Sequence, residues 1–153
     1  MTRNAKVSHV SCRIQTNLRC LKEGDKEALD ILRTVMLFVN AVFLAQSTQP
    51  NLSSGEVFRK EFRFWPEGIT RDKVSNFPNP RALVKTSGDG FEEVSYSDEY
   101  REKLAEVSKL LRLAANKAES PSFSTFLRSR ADSFESNNYQ KSEIDWLHVE
   151  GSM

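Results

Sequence analysis

The clearest hydrophobic period in the chain lies between Lys26 and Leu44. Apolar residues recur there at steps of three and four, which is the spacing of one face of an α-helix. They are Leu29, Leu32, Val35, Met36, Val39 and Phe43. Gly24 and Asp25 precede this run as a helix start, and the polar segment 46–55 follows it. The pattern therefore predicts a helix with a buried face, followed by a loop.

Three shorter segments have the composition of β-strands. Residues 57–65 alternate loosely between apolar and charged positions and are closed by a proline and a glycine. Further along, the runs 83–86 and 91–94 flank a turn that contains Gly88 and Gly90. Because glycine adopts positive φ without steric cost, both glycines are predicted to supply it, and the two runs predict a β-hairpin.

After the hairpin, Ser97 is predicted as the N-cap of a helix with two acidic residues at its positive end. Its apolar positions are Tyr100, Leu104, Val107, Leu111, Ala114, Ala115 and Ala118. Pro121 fits the first turn of a second helix. The predicted buried residues of that helix are Phe123, Phe126, Leu127, Ala131 and Phe134.

The two asparagines at 137 and 138 end the second helix, and residues 139–146 predict a short last helix. Taken together, these elements predict an α+β, mostly helical fold. Amphipathic helices would pack with one short β-hairpin.

The composition is that of a packed protein without a nucleic-acid or membrane partner. The 153 residues are 39% hydrophobic, and 22 basic against 21 acidic residues leave a net charge of +1. Nucleic-acid binders cluster basic residues without matching carboxylates, so that class is excluded. The longest apolar run, 35–45, contains Asn40 and is shorter than the about 18 residues needed to cross a bilayer.

The first 22 residues are basic, with no acidic residue before Glu23. This composition resembles an organelle transit peptide, although no amphipathic period accompanies it. The alternative, which we favour, is a disordered basic lead-in over residues 1–25, followed by a folded region over 26–147 and a tail over 148–153. A cytoplasmic location is expected, and organelle import stays open.

Candidate catalytic and metal-binding groups are few. Zinc hydrolases need imidazoles on one face and a carboxylate, whereas His9 and His148 lie at opposite ends of the chain. His9 could join Cys12 and Cys20 as three ligands, but no fourth follows at a suitable spacing. No serine or cysteine nucleophile has a base in a matching motif. We therefore predict no catalytic residue and no metal ligand in this chain.

Two further clusters have structural interpretations. Gly88 and Gly90 lack the third glycine of a phosphate-binding loop, and a turn explains them. Four carboxylates gather near the hairpin and could attract a cation, while their other interpretation is helix-end electrostatics and solubility. They are Glu92, Glu93, Asp98 and Glu99.

Short segments between Lys26 and Leu147 form an ordered series that resembles one family. They are 42–46, 64–72, 88–90, 94–100, 110–115, 119–123, 126–134, 136–139 and 144–146. The series is similar to the dipeptidyl peptidase III family of zinc metallopeptidases, including the plant forms joined to a Nudix domain. Members of this family release dipeptides from the N-termini of peptides.

The departures from the family limit what the resemblance implies. Family members are several times longer, and their zinc site is an H-E-x-x-G-H helix with a further glutamate ligand. Neither that motif nor a Nudix box occurs in the 153 residues. Catalytic and metal residues are therefore not carried over, and zinc is the cofactor of the full-length family but not of this chain.

What remains is similar to part of the non-zinc lobe, which in the family forms one wall of the peptide-binding cleft. Tyr139, Asp145 and Trp146 lie in the part of the match nearest the expected cleft. The resemblance implies Tyr139 as a peptide-contacting residue. Its other interpretation is a helix-packing aromatic with its hydroxyl at the surface, and Asp145 is equally explained as a solvated helix charge.

Three hypotheses follow. The first is a truncated or degenerate relative of dipeptidyl peptidase III that retains part of the cleft lobe and does not hydrolyse peptides alone. The second is a small helical interaction module that binds a protein partner through a groove lined by Phe123 and Phe126. The third is an unstable fragment with exposed apolar surface. The expected partners are thus peptides or a protein.

Overall fold

The computed structural model describes residues 18–47, 66, 68–79 and 82–150. Within them the regular elements, after a 3₁₀ turn at Leu18–Cys20, are α1 (Glu23–Ser47), α2 (Arg71–Val74), β1 (Ala82–Ser87), β2 (Gly90–Ser95), α3 (Tyr96–Glu99), α4 (Arg101–Lys117), α5 (Pro121–Ser136) and α6 (Gln140–Leu147). The predicted α+β, mostly helical class is confirmed. The strand predicted over 57–65 and residues 1–17 of the predicted lead-in lie outside the described residues.

Helix α1 begins three residues before its predicted start, inside the segment 1–25 that the sequence predicts as a lead-in. Contacts with the chain after α4 hold this early turn. The main-chain amide of Gly24 donates to the Glu119 carboxylate at 3.2 Å, and the amide of Glu119 donates to Asp25 at 2.9 Å. These contacts join residues far apart in sequence, so no local pattern indicates them.

The hydrophobic core lies where α4 packs between α1 and α5. Its buried residues are Ala28, Val35, Val107, Leu111, Ala114, Ala115, Leu127 and Ala131. All of them except Ala28 are predicted apolar positions. The three phenylalanines predicted as buried on α5 are half-buried and pack against this core. The predicted burial of Met36 is wrong, since its side chain is 63% exposed. Val35 faces the core, and consecutive helical residues point about 100° apart.

The predicted β-hairpin is confirmed, with antiparallel pairing from Ala82↔Ser95 to Ser87↔Gly90. Only one of the two glycines supplies positive φ. Gly88 has φ +54°, whereas Gly90 is the first paired residue of β2. A single positive φ at the first turn position is the pattern of a tight two-residue hairpin loop.

The cap predicted at Ser97 is displaced by two residues. Ser95 is the N-cap of α3, and its hydroxyl oxygen accepts the main-chain amide of Asp98 at 3.1 Å. The predicted continuous helix is also interrupted at Tyr100, which has φ −113° and ψ 26°. The rings of Tyr96 and Tyr100 stack at 6.3 Å across this break.

The last two helices begin and end close to their predicted positions. Ser120 caps α5 through the amide of Phe123 at 3.4 Å, with Pro121 in the first turn. Asn137 ends α5 in the left-handed region, at φ 56°, a conformation that asparagine tolerates better than most residues. Helix α6 then starts at Gln140, and the amide of Glu150 returns to the Ser122 hydroxyl at 3.1 Å.

Within the described parts of the chain, no helix is both long enough and apolar enough to cross a membrane.

Candidate functional site

The one residue that the sequence singles out as peptide-contacting, Tyr139, lies at the start of α6. Its ring is half-buried and meets the ring of Phe134 edge-on, with 5.9 Å between centroids and an interplanar angle of 85°. The side chain is therefore a packing element of the α5–α6 pair. Because part of the ring is still exposed, packing and peptide contact are compatible.

Helices α5 and α6 pack antiparallel in a register that the aromatic pairs define. Phe134 meets Tyr139 at the turn between the helices, and two helical turns away Phe126 meets Trp146 at 5.0 Å. Between the pairs lie two buried serines. The hydroxyl of Ser142 accepts from Ser133 at 2.9 Å and donates to the main-chain carbonyl of Tyr139 at 3.0 Å. Small hydroxyl residues thus let the two helices approach closely.

Arg130 lies between the two aromatic pairs. Its guanidinium carbon is 5.4 Å from the ring centroid of Phe126 and 5.6 Å from that of Tyr139. Both distances are within the about 6 Å over which a cation is attracted to an aromatic face. Among the described residues, no carboxylate pairs with this guanidinium. Within the described parts of the chain, the contacts given for its positive charge are these two ring faces.

We refer to Phe126, Arg130, Tyr139 and Trp146 together as the aromatic–arginine surface. Trp146 is 56% exposed, so the surface is open to solvent at its α6 edge. Rings beside a guanidinium offer apolar area and a fork of N–H donors, which suits a planar or anionic group. The four side chains thus offer binding chemistry.

Sequence reasoning missed Arg130, although a signal was present. On α5 it lies four residues after Phe126 and four before Phe134, in the row of residues that faces α6. A basic residue at this spacing between two aromatic residues is on their side of the helix. The hydrophobic pattern predicts Phe134 as a core residue and Phe126 as a core or groove residue, and it gives the arginine between them no role.

Asp145 is held by its neighbours on α5 and α6. The Lys141 ammonium donates to its carboxylate at 2.6 Å. This hydrogen bond, with a smaller contribution from the Ser129 hydroxyl, lowers the pKa of the Asp145 carboxyl. Asp145 is thus a half-buried charge paired with Lys141, and not the freely solvated one that the alternative interpretation expects.

A second charged group lies where α4 meets α5. The Arg112 guanidinium donates to Glu135 at 2.6 Å and 2.8 Å and to Asp132 at 2.7 Å. These bonds lower the pKa of Glu135 and raise that of Arg112. Every member has a partner, so the group of one guanidinium and two carboxylates joins the two helices.

Three of the four carboxylates near the hairpin are engaged in local contacts. Glu93 accepts from Asn79 at 3.1 Å, and Glu99 pairs with Lys85. Asp98 pairs with Arg101 at 2.6 Å, and the Ser95 hydroxyl lowers its pKa. The described residues contain no group of three or more metal-ligating side chains.

The remaining sequence candidates do not meet one another in the described residues. His9 and Cys12 lie outside those residues, and Cys20 ends the 3₁₀ turn before α1. His148 is exposed, and its Nδ1 lies 2.9 Å from the main-chain oxygen of Ile144. Phe123 stacks on Phe126 at 6.3 Å.

Comparisons with known proteins agree with this architecture. No protein-family model matches the chain. It is 33% identical over 124 residues to Nudix hydrolase 3 of Arabidopsis thaliana, a match covering 67% of this chain and 16% of that protein.

Two solved structures share the fold. Dipeptidyl peptidase III from Caldithrix abyssi superposes with a TM-score of 0.74 at 18% identity, covering 88% of this chain and 35% of that chain. The enzyme from Corallococcus sp. strain EGB gives a TM-score of 0.67 at 22% identity, covering 92% and 36%. The chain thus spans about a third of the length of these structures. The predicted resemblance is confirmed at the level of the fold, which is that of a part of dipeptidyl peptidase III.

Proposed function

We propose that this chain is a dipeptidyl peptidase III-like protein that retains part of the non-zinc, cleft-forming lobe and does not hydrolyse peptides by itself. The observation that supports this most directly is a fold covering 35% of a dipeptidyl peptidase III chain, in a sequence without an H-E-x-x-G-H motif. In this proposal zinc is not a cofactor of the chain.

The chemistry of the reaction supports the same proposal. Zinc-dependent hydrolysis needs several ligands on one metal and an open position for water. The sequence holds two histidines, His9 and His148, separated by most of its length. We do not extend a Nudix hydrolase activity from the plant relative to this chain, because the sequence lacks a Nudix box and covers 16% of that protein.

The test combines hydrolysis, metal content and folding. The purified chain is incubated with a dipeptidyl arylamide and added zinc, with a full-length dipeptidyl peptidase III as the positive control. We expect no arylamine release above the buffer rate, less than stoichiometric zinc after gel filtration, and a cooperative thermal transition. Zinc-dependent release that a chelator abolishes would overturn the proposal. A chain without a cooperative transition would instead support the unstable-fragment hypothesis.

The aromatic–arginine surface favours a second candidate function, a protein- or peptide-binding module. The groove proposed from sequence needs revision for this purpose, because Phe123 and Phe126 pack against the core and their replacement by polar residues would destabilise the fold. Arg130 and the exposed Trp146 are better positions for a binding test. If their substitution leaves partner binding unchanged while the protein stays folded, this surface is not the binding site.

A further inference from the structure

We propose that the aromatic–arginine surface binds an acidic peptide segment in which a carboxylate lies beside an apolar side chain. The inference rests on the second candidate function, the binding module, and is independent of whether the chain hydrolyses peptides. Its basis is the position of Arg130 against the rings of Phe126 and Tyr139, with Trp146 packed on Phe126.

Charge determines the class of ligand. The carboxylates of α5 are already engaged, since Asp132 and Glu135 pair with Arg112. On α6, Asp145 pairs with Lys141. Among the described residues none pairs with Arg130. A half-buried guanidinium held against two rings gains most from an anionic partner, which accepts two N–H bonds from its planar fork.

The surrounding surface favours a peptide over other anions. A free phosphate would leave the exposed face of Trp146 uncovered, whereas a peptide carries an apolar side chain next to its carboxylate. A membrane or a nucleic acid needs several basic residues together. The aromatic–arginine surface holds one basic residue, Arg130, and so lacks such a cluster.

The position of Arg130 between two rings also favours peptide binding, because less conformational entropy of its side chain is lost on binding. Rings on two sides hold the Arg130 side chain before a ligand arrives, and a preorganised donor loses less conformational entropy on binding. The neighbouring row of α5 and α6 is anchored by the buried hydrogen bond between Ser133 and Ser142. The surface therefore rests on a rigid helix pair.

The test uses the fluorescence of Trp146, read in a Trp65→Phe background so that it is the only tryptophan. Three capped octapeptides are titrated into the full chain. The first alternates glutamate with phenylalanine and leucine, the second has glutamine at each glutamate position, and the third has lysine. We expect the acidic peptide to bind about tenfold or more tightly than the other two, as charge-assisted hydrogen bonds imply.

Variants of α5 locate the site. Arg130→Gln should weaken binding of the acidic peptide about tenfold or more, and Arg130→Lys about fivefold, because lysine keeps the charge but loses the fork and the stacking. The matched control is Arg128→Gln, which removes the same charge from an exposed position of the same helix that bonds to Asn116. It should change the affinity less than about twofold, since exposed charges are screened.

Several results would overturn the inference. Equal effects of Arg130→Gln and Arg128→Gln would show that the peptide is held by long-range charge attraction and not by a site at Arg130. Equal affinity for the three peptides, or no binding of any, would show that the surface does not recognise acidic peptides. The proposal that the chain does not hydrolyse peptides would be unaffected. Displacement of the peptide by millimolar inorganic phosphate, or equally tight binding to phosphatidylserine vesicles, would assign the surface to a different ligand. Thermal transitions of each variant verify that it is folded.

Discussion

The α-carbon of Gly24 lies against the main-chain carbonyl oxygen of Lys117, so closely that a methyl group built on it would be 2.4 Å from that oxygen. This contact joins the first turn of α1 to the last turn of α4. A salt bridge of 2.6 Å between Lys117 and Glu27 lies beside it. The long first helix is thus fixed at its N-terminal end by main-chain contact as well as by its apolar face.

Replacement of Gly24 by alanine should therefore destabilise the protein. In an ordinary helix position this change stabilises by about 0.5–1 kcal/mol. Here we expect the free energy of unfolding to fall by about 1–3 kcal/mol, because the methyl group overlaps a packed carbonyl. Urea denaturation measures the change. The control is Gly90→Ala, whose methyl would lie 3.8 Å from the Ser87 oxygen and should alter stability by less than about 0.5 kcal/mol.

The displaced helix cap gives a second prediction. The Ser95 hydroxyl accepts the amide of Asp98, whereas Ser97, the cap expected from sequence, contacts the Ser95 hydroxyl at 2.9 Å. Ser95→Ala should lower the free energy of unfolding by about 0.5–2 kcal/mol, the usual value of an N-cap. Ser97→Ala should cost clearly less. If Ser97→Ala were more destabilising than Ser95→Ala in thermal or urea unfolding, Ser97 would be the N-cap.

The buried serine pair predicts how α6 is held. Ser142 is fully buried and Ser133 nearly so. Ser142→Val forces a larger side chain into this contact and removes its hydrogen bonds, so we expect a loss of about 1–3 kcal/mol in urea unfolding. Ser136→Ala is the control, because its exposed hydroxyl bonds only to the main chain of Asp132 and Asn138 and does not reach α6. Similar stabilities of the two variants would mean that α6 is not packed through Ser142.

The Arg112 group predicts a pH dependence. Arg112 lowers the pKa of Glu135 in the folded state. The ionised Glu135 carboxylate therefore stabilises the fold above its unfolded-state pKa of about 4.3. This stabilisation is lost as the pH falls through the lowered folded-state pKa. At neutral pH, Glu135→Gln should be less stable than the wild type by about 0.5–1 kcal/mol, the range of solvent-screened pairs.

The difference between Glu135→Gln and the wild type should shrink towards acidic pH, when the wild-type carboxyl is also protonated. Thermal unfolding at neutral and acidic pH measures it. Glu102→Gln, an exposed carboxylate at the start of α4, serves as the control. A difference that stays constant with pH would show that Glu135 acts through packing and not through its charge.

Much of the helical fold could be predicted from local patterns. The core positions Leu104, Val107 and Leu111 follow the helical period, and Ser120 with Pro121 marks the start of α5 through known capping chemistry. These features depend on residues within one or two turns of one another. Their signals are therefore complete in a short stretch of sequence.

The features that could not be predicted depend on contacts between distant segments. The end of α4 packs against Gly24, which lies in the first turn of α1. From the sequence alone, a glycine at this position indicates only a helix start or a helix break. Arg130 becomes a candidate binding residue only when α6 brings Tyr139 beside it. The family resemblance predicted the fold and directed attention to Tyr139, but it did not indicate this arginine.

The measurement that tests the central claim most directly is the rate of dipeptidyl-arylamide hydrolysis by the folded chain at saturating zinc. A dipeptidyl peptidase III-like fold without its zinc motif predicts a rate equal to that of buffer with zinc alone, from protein that unfolds cooperatively. Release of arylamine that a chelator stops and added zinc restores, from protein free of other peptidases, would contradict the account.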